Sequence, residues 1–242
     1  MGLPVSKLII ACNENDILHR FLQTGTYEKN PVHGAAAAGG LVGATAHPEG
    51  VKETLSPSMD ILVSSNFERL LWFVAHDVYG SNTNSAQEKR EIAGRKVKEW
   101  QTQLKTNGGF SVEKQVLDAV RADFAAERVS DAETIATIRD VYRWPNGYIL
   151  DPHSAIAVTA ALRSAEGAHQ VALATAHPAK FAKAVEMALV EEKEFRFTDI
   201  LPMQFVGLEE RPRRVRYVRR SEGFEGLRKL IVGEVDRERA RA

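Results

Sequence analysis

Two stretches of the chain share one pattern of apolar and polar positions. Residues 5–11 and 171–174 are short, nearly continuous apolar runs, and each is followed by a polar turn and an amphipathic helix. Apolar runs of this length predict strands that are buried on both faces of an α/β sheet. Ligands of open α/β sheets bind at the carboxyl ends of the strands, so we expect a ligand edge at residues 13–16 and at Thr175.

The remaining pattern predicts mostly helices. A short strand over residues 59–63 precedes a helix that ends at Gly80, with apolar residues at the spacing of a core face. Residues 83–143 show helical periodicity throughout, including a capping box that begins at Ser130. Asp151 and the proline after it predict the start of a further, buried helix.

These changes of pattern divide the chain into parts. We expect residues 1–82 and 144–200 to form the α/β sheet domain, with residues 83–143 as a helical subdomain or insertion. Residues 201–242 are expected to form a C-terminal tail whose last helix docks onto the body.

The composition is that of an ordinary globular protein. Its 242 residues contain 32 Lys and Arg against 32 Asp and Glu, so no excess charge favours nucleic acid or an anionic membrane. No apolar stretch approaches the ~18–20 residues of a membrane span, and the N-terminal residues do not form a signal peptide. The single cysteine, Cys12, excludes an internal disulfide and predicts a reducing, cytoplasmic location; we expect it to be a small buried residue.

Few motifs carry chemistry. The sequence contains no P-loop, GxGxxG, GxSxG, HExxH or CxxC motif, and its histidines are not at ligand spacing, so we predict no metal site. Residues 30–50 are rich in alanine and glycine and predict a surface insertion. Six arginines between Arg211 and Arg220 fit either a surface that binds phosphate or nucleic acid or a solvated strand or loop with local ion pairs. Thr175 is either a ligand contact or a turn or capping hydroxyl.

Four longer runs resemble the threonine synthase family, whose members are pyridoxal-phosphate enzymes of fold type II. The runs are LIIACNENDILHRFLQTGTY, TLSPSMDILVSSNFERLLW, DPHSAIAVTAAL and VALATAHPAKF. They occur in the family's order and span most of residues 3–190, while residues 30–50 depart from the family. The resemblance therefore implies part of a fold-type II α/β sheet domain that is flanked by helices.

The resemblance also implies an activity and a cofactor. The family converts O-phospho-L-homoserine and water to L-threonine and phosphate, with pyridoxal phosphate as the electron sink. The threonine of the family's TAHPAKF run lies beside the pyridine nitrogen, and in this chain it is Thr175. A hydroxyl there leaves the nitrogen largely unprotonated, which moderates the electron sink. Ser56, Ser58 and Asp60 are candidates for the substrate side, without an assigned role.

The family's catalytic lysine lies in a part that this chain does not match. Both the Schiff-base lysine and the glycine-rich phosphate loop precede the first matching run, so we predict no catalytic residue in this chain. Lys180 follows Thr175 closely but belongs to the next helix. The chain thus resembles the C-terminal part of a threonine synthase. Either it represents that enzyme, or it is an inactive fragment that serves at most as a binding or assembly partner.

Overall fold

The structure, a computed structural model, describes residues 4–29, 50–164, 169–208, 210–213 and 215–240. The insertion predicted over residues 30–50 lies outside the described residues except for Gly50. The strands are β1 (Leu8–Cys12), β2 (Thr26–Glu28), β3 (Gly109–Ser111) and β4 (Phe124–Arg128). The α-helices are α1 (Ile17–Thr24), α2 (Ser65–Tyr79), α3 (Ala86–Asn107), α4 (Lys114–Asp123), α5 (Asp131–Tyr142), α6 (Pro152–Arg163), α7 (Ala182–Ala188) and α8 (Gly223–Arg239).

The chain forms two compact units, Met1–Ile200 and Leu201–Ala242. In the second unit, the arginine-rich segment precedes α8, and the guanidinium of Arg216 pairs with the carboxylate of Glu234 on that helix. The docking of the last helix onto the body stays a prediction. None of the helices in the described residues is long and apolar enough to cross a bilayer.

Two small sheets organise the first unit. Strands β1 and β4 pair in parallel, with Leu8 opposite Phe124 and Cys12 opposite Arg128. Strands β2 and β3 pair antiparallel, and they approach so closely that a Cβ at Gly109 would lie 2.8 Å from the Cβ of Glu28. Helices that pack around parallel pairing confirm the predicted α/β class.

The prediction that residues 83–143 are helical throughout is wrong. Helices α3, α4 and α5 are present, and the capping box at Ser130 and Glu133 is confirmed. Strands β3 and β4 lie between these helices and pair with β2 and β1. Short strands leave little periodicity in a sequence, because their side chains are placed by the partner strand and the core rather than by local pattern.

The strand predicted over residues 59–63 is also absent. The backbone forms a 3-10 turn at Pro57–Met59 and then an irregular segment that leads into α2. Leu62 is buried, and its carbonyl accepts a hydrogen bond of 3.0 Å from the hydroxyl of Tyr27 instead of pairing with a strand. The apolar residues of this run therefore indicate the burial of Leu62 and not a paired strand.

Two hydrophobic cores hold the first unit together. An aromatic group fills the first core, with Tyr27 stacked on Phe67 at a centroid distance of 5.0 Å and Phe21 meeting Phe67 edge-on. The second core lies between α5, α6 and α7, where Ile138 and Val185 are fully buried. The second core packs α5 and α6, whose first turns form part of the candidate site, against α7.

Candidate functional site

The carboxyl ends of β1 and β4 lie at one edge, because the two strands are parallel. Beyond this edge the backbone N–H of Val129 donates to the carbonyl of Cys12 over 2.9 Å. The thiol of Cys12 is buried as predicted, and burial raises its pKa to about 11. The polar turn of residues 13–16 follows β1, and the cap of α5 follows β4, so this edge brings these two polar groups together. The sequence predicted the turn at Thr175 as the second polar group of the edge; that turn follows no paired strand.

The polar turn after β1 holds the loop of residues 52–60 through hydrogen bonds. The side-chain nitrogen of Asn13 lies 2.9 Å from the hydroxyl of Thr54, 2.9 Å from that of Ser56 and 2.8 Å from a carboxylate oxygen of Asp60. Asn15 donates to the same oxygen of Asp60, and it exchanges hydrogen bonds with the backbone of Lys52. Since Asn13 is 1% exposed, its amide is a structural anchor and is not available to a ligand.

The three candidates for the substrate side differ in availability. Ser56 is fully buried, and its hydroxyl is bonded to Asn13 and Thr54. Asp60 accepts from the same anchors with both carboxylate oxygens. Ser58 is exposed, and its hydroxyl has no hydrogen-bond partner among the described residues. Of these three, Ser58 alone presents a free polar group.

Asp131 fixes the loop from the start of α5. Both of its carboxylate oxygens lie 3.2 Å from the backbone N–H of Leu55. Burial raises the pKa of Asp131, an effect that outweighs the hydrogen bond from Leu55, and the charges of Glu14 and Asp60 raise it further. The loop is thus held between the end of β1 and the beginning of α5.

The first turn of α6 adds a third support. The predicted cap is confirmed, since the carboxylate of Asp151 accepts from the backbone N–H groups of His153 and Ser154. Asp151 also accepts from the ring Nδ1 of His153 at 2.9 Å and from the hydroxyl of Ser154. Burial alone would raise the pKa of Asp151, but these side-chain and backbone hydrogen bonds lower it overall.

Thr175 lies beside this turn. Its backbone N–H donates to the hydroxyl of Ser154 over 3.2 Å, whereas its own hydroxyl has no hydrogen-bond partner among the described residues. Thr175 is exposed and comes just before the 3-10 turn Pro178–Lys180. The structure therefore presents the Thr175 hydroxyl to solvent, while the backbone that carries it is held.

The strand predicted over residues 171–174 is not formed. This segment has no regular secondary structure and pairs with no strand of the described residues, and Val171 and Leu173 are 82% and 74% exposed. The described residues provide no neighbouring strand for it, and an isolated strand has no hydrogen-bonding partner to stabilise it. The apolar pattern was sufficient to predict a strand, but strand formation needs a partner.

Sequence reasoning missed His153 and Ser154 as parts of the site. The pattern DPHS predicts a helix start. Nothing in it indicates that Nε2 of His153 accepts a hydrogen bond from the backbone N–H of Ser58 over 3.3 Å. The available signal was weak: polar residues in the first turn of an otherwise apolar helix. The residues that the structure describes contain no group of three or more His, Cys, Asp or Glu side chains arranged to hold a metal ion.

Comparison with known proteins identifies relatives of this α/β fold. The family model described as threonine synthase, C-terminal, matches residues 154–231. Threonine synthase from Schizosaccharomyces pombe is 42% identical over 99% of this chain, which covers 45% of the relative. The crystal structure of threonine synthase from yeast superposes on the whole chain with a TM-score of 0.78 at 38% identity, and 44% of that chain is covered.

A second solved structure extends this similarity. It is described as PLP-bound threonine synthase from Brucella melitensis, and it is 40% identical with a TM-score of 0.64, covering 88% of this chain and 37% of that one. Over nearly its whole length, the chain matches the C-terminal part of threonine synthases. It spans less than half the length of these relatives.

Proposed function

We propose that this chain forms the pyridine side of a pyridoxal-phosphate site in a fold-type II enzyme that converts O-phospho-L-homoserine and water to L-threonine and phosphate. The similarity to threonine synthases and the PLP-bound relative from Brucella melitensis support the reaction class and the cofactor. The observation that carries the proposal is the Thr175 hydroxyl, which is exposed and unpaired on a backbone held by Ser154. A cytoplasmic location, with no nucleic-acid or membrane partner, stays a prediction.

The residues present fit one end of the cofactor. When bound, pyridoxal phosphate supplies an electron sink for the proton removal and phosphate loss of the reaction. The hydroxyl of Thr175 would donate a hydrogen bond to the pyridine nitrogen of the bound cofactor and, being neutral, would leave that nitrogen without a full charge. The Ser58 hydroxyl, on the loop tied to the same helix turn, is free to bind a polar group of the substrate.

We also propose that these 242 residues do not hold the cofactor covalently. No lysine of the chain stands in the sequence context of the family's Schiff-base lysine, and Lys180 belongs to the 3-10 turn after Thr175. Catalysis then requires the lysine and the phosphate loop of the part of the relatives that this chain does not cover. By itself the chain binds the cofactor only through non-covalent contacts.

Cofactor titration tests the role of Thr175. Pyridoxal phosphate is added to the purified chain, and its absorbance and the quenching of protein fluorescence give the dissociation constant. Thr175→Val removes the hydroxyl and keeps the shape, so we expect affinity to fall about fivefold, the effect of one lost hydrogen bond. Thr102→Val, at an exposed position on α3, is the matched control and should bind as the unmodified chain does. Equal affinity in all three proteins would refute the assignment of Thr175.

Borohydride reduction tests the absence of a covalent link. After incubation with pyridoxal phosphate and reduction, peptide mass spectrometry should find only low, scattered labelling of exposed lysines. Stoichiometric labelling of a single lysine would show that the chain carries its own cofactor lysine. That result would contradict the second proposal and leave the assignment of Thr175 untouched.

A further inference from the structure

The first turn of α6 contains three buried polar side chains at the start of a largely apolar helix. Asp151 is 1% exposed, Ser154 is 3% exposed and His153 is 8% exposed. The carboxylate of Asp151 accepts from the His153 backbone and ring nitrogens, both at 2.9 Å, and from the Ser154 hydroxyl. A carboxylate this deeply buried is normally compensated by such a set of donors, and the set fixes the directions of both neighbouring side chains.

The direction of these hydrogen bonds determines what the two side chains present outward. An ionised carboxylate can only accept, so Nδ1 of His153 carries the hydrogen and Nε2 keeps its lone pair. That lone pair accepts the backbone N–H of Ser58 over 3.3 Å. The Ser154 hydroxyl gives its one hydrogen to Asp151, and its oxygen then accepts the backbone N–H of Thr175 over 3.2 Å.

Packing holds the imidazole in this orientation. The ring of Phe181 lies against that of His153, with a centroid distance of 4.6 Å and an angle of 60° between the planes. Phe181 is itself the residue before α7, which is packed in the second core. The ring of His153 therefore cannot turn without disturbing a packed neighbour.

We propose that Asp151, His153 and Ser154 form a positioning cluster that holds the backbones of Ser58 and Thr175, and with them the two free hydroxyls of the candidate site. Ser58 lies 95 residues before His153 in the chain, and Thr175 lies 21 residues after Ser154. The carboxylate of Asp151 thus fixes two distant segments through two chains of hydrogen bonds, which we call arms. One arm runs through His153 to the backbone of Ser58, and the other runs through Ser154 to the backbone of Thr175. The proposal rests on the proposed function for the statement that Thr175 faces the cofactor.

Amide exchange in the full chain tests each arm by itself. In Ser154→Ala the Thr175 N–H loses its acceptor, so we expect its exchange rate to rise about tenfold while that of Ser58 stays unchanged. In His153→Asn the side-chain amide still donates to Asp151 but is too short to reach Ser58, so the Ser58 exchange rate should rise about tenfold and that of Thr175 should not. His153→Gln can place its carbonyl oxygen near the position of Nε2 and should restore slow exchange at Ser58.

A control on the same helix separates positioning from general loosening. Thr159 is also buried, and its hydroxyl bonds to Thr137 and to the carbonyl of Ala155, away from the cluster. Thr159→Val should lower the melting temperature and leave both amides and cofactor affinity as they are. If Ser58 and Thr175 exchange faster together in all the variants, the helix is only loosened and the positioning proposal is wrong.

Two further readouts complete the test. Nitrogen-15 spectra of the His153 ring at about pH 8 should show a protonated Nδ1 and a bare Nε2; the opposite tautomer would overturn the proposal.

Ser154→Ala should weaken pyridoxal phosphate binding about fivefold, as Thr175→Val does. Weak binding in Thr175→Val with normal binding in Ser154→Ala would refute the positioning and leave the proposed function standing. The expected exchange pattern with equal affinity in every protein would support the positioning and refute the role of Thr175.

Discussion

The turn after β1 and the turn at Thr175 have the same sequence pattern, but the structure uses them differently. Each consists of an apolar run, a polar turn and a helix, and both were expected to form the ligand edge. The first follows a paired strand, and its Asn13 is 1% exposed with its amide bound to the loop at Thr54, Ser56 and Asp60. The second follows an unpaired segment, and its Thr175 hydroxyl is exposed and free among the described residues.

The difference teaches which polar residues of a sheet edge remain available for chemistry. Buried polar groups are hydrogen-bonded within the protein, and a donor whose hydrogens are all used has none left for a ligand. The Asn13 amide therefore holds the loop of residues 52–60, whereas the Thr175 hydroxyl remains unpaired among the described residues because only the backbone of Thr175 is engaged. Local sequence cannot separate the two cases, since both turns carry residues that suit either role.

The largest effect should follow from breaking the first turn. Asn13→Ala removes the donor to three oxygen-bearing partners in a buried place, so the free energy of unfolding should fall by about 3 kcal/mol. Urea denaturation followed by circular dichroism measures this, with Asn84→Ala at an exposed loop position as the control. Thr175→Val should change the same quantity by less than about 0.5 kcal/mol. Comparable losses in both variants would mean that the two turns are equivalent after all.

A smaller loss of stability should follow from changing Asp151, which holds the Ser154 hydroxyl that binds the backbone of Thr175. Asp151→Asn keeps the size of the side chain and removes its charge, so unfolding at neutral pH should cost about 2 kcal/mol less. Hydrogen bonds hold the folded-state pKa of Asp151 below its ordinary value of 3.8, so the stabilisation is complete above that value. It is lost as the pH falls through the folded-state pKa.

The stability contributed by the Asp151 carboxylate should decrease as the pH falls. Denaturation curves of the unmodified chain and of Asp151→Asn should differ most at neutral pH and converge as the pH falls below 3.8. Asp140→Asn, at a side chain that is 65% exposed, should follow the unmodified chain throughout. A constant gap at every pH would show that shape rather than charge is responsible.

The smallest effect should come from the unpaired segment before Thr175. Leu173 is 74% exposed, so Leu173→Lys should change the free energy of unfolding by less than about 0.5 kcal/mol. Ile10→Lys, in the paired strand β1 at a partly buried position against the aromatic core, should cost about 2 kcal/mol. Thermal unfolding of the two variants measures the contrast. A large loss in Leu173→Lys would show that the segment packs against other residues in solution.

The sequence by itself determined most of the local structure. Asp151 and Pro152 start α6, Ser130 and Glu133 form the capping box of α5, and α1 ends at Gly25, whose φ of 77° suits glycine. These features follow from short-range chemistry, in which a side chain satisfies a backbone group a few residues away. The runs that resemble threonine synthases further predicted the family and a place for Thr175 beside the pyridine nitrogen of the cofactor.

Only the tertiary structure decided which elements pair and which polar groups are consumed. Strand β4 exists because it pairs with β1, and residues 171–174 remain unpaired because the described residues offer them no partner. The arms from His153 to Ser58 and from Ser154 to Thr175 cross long stretches of chain and leave no local pattern. Burial and pairing depend on contacts between distant residues, which is why the two similar turns could be told apart only in the folded molecule.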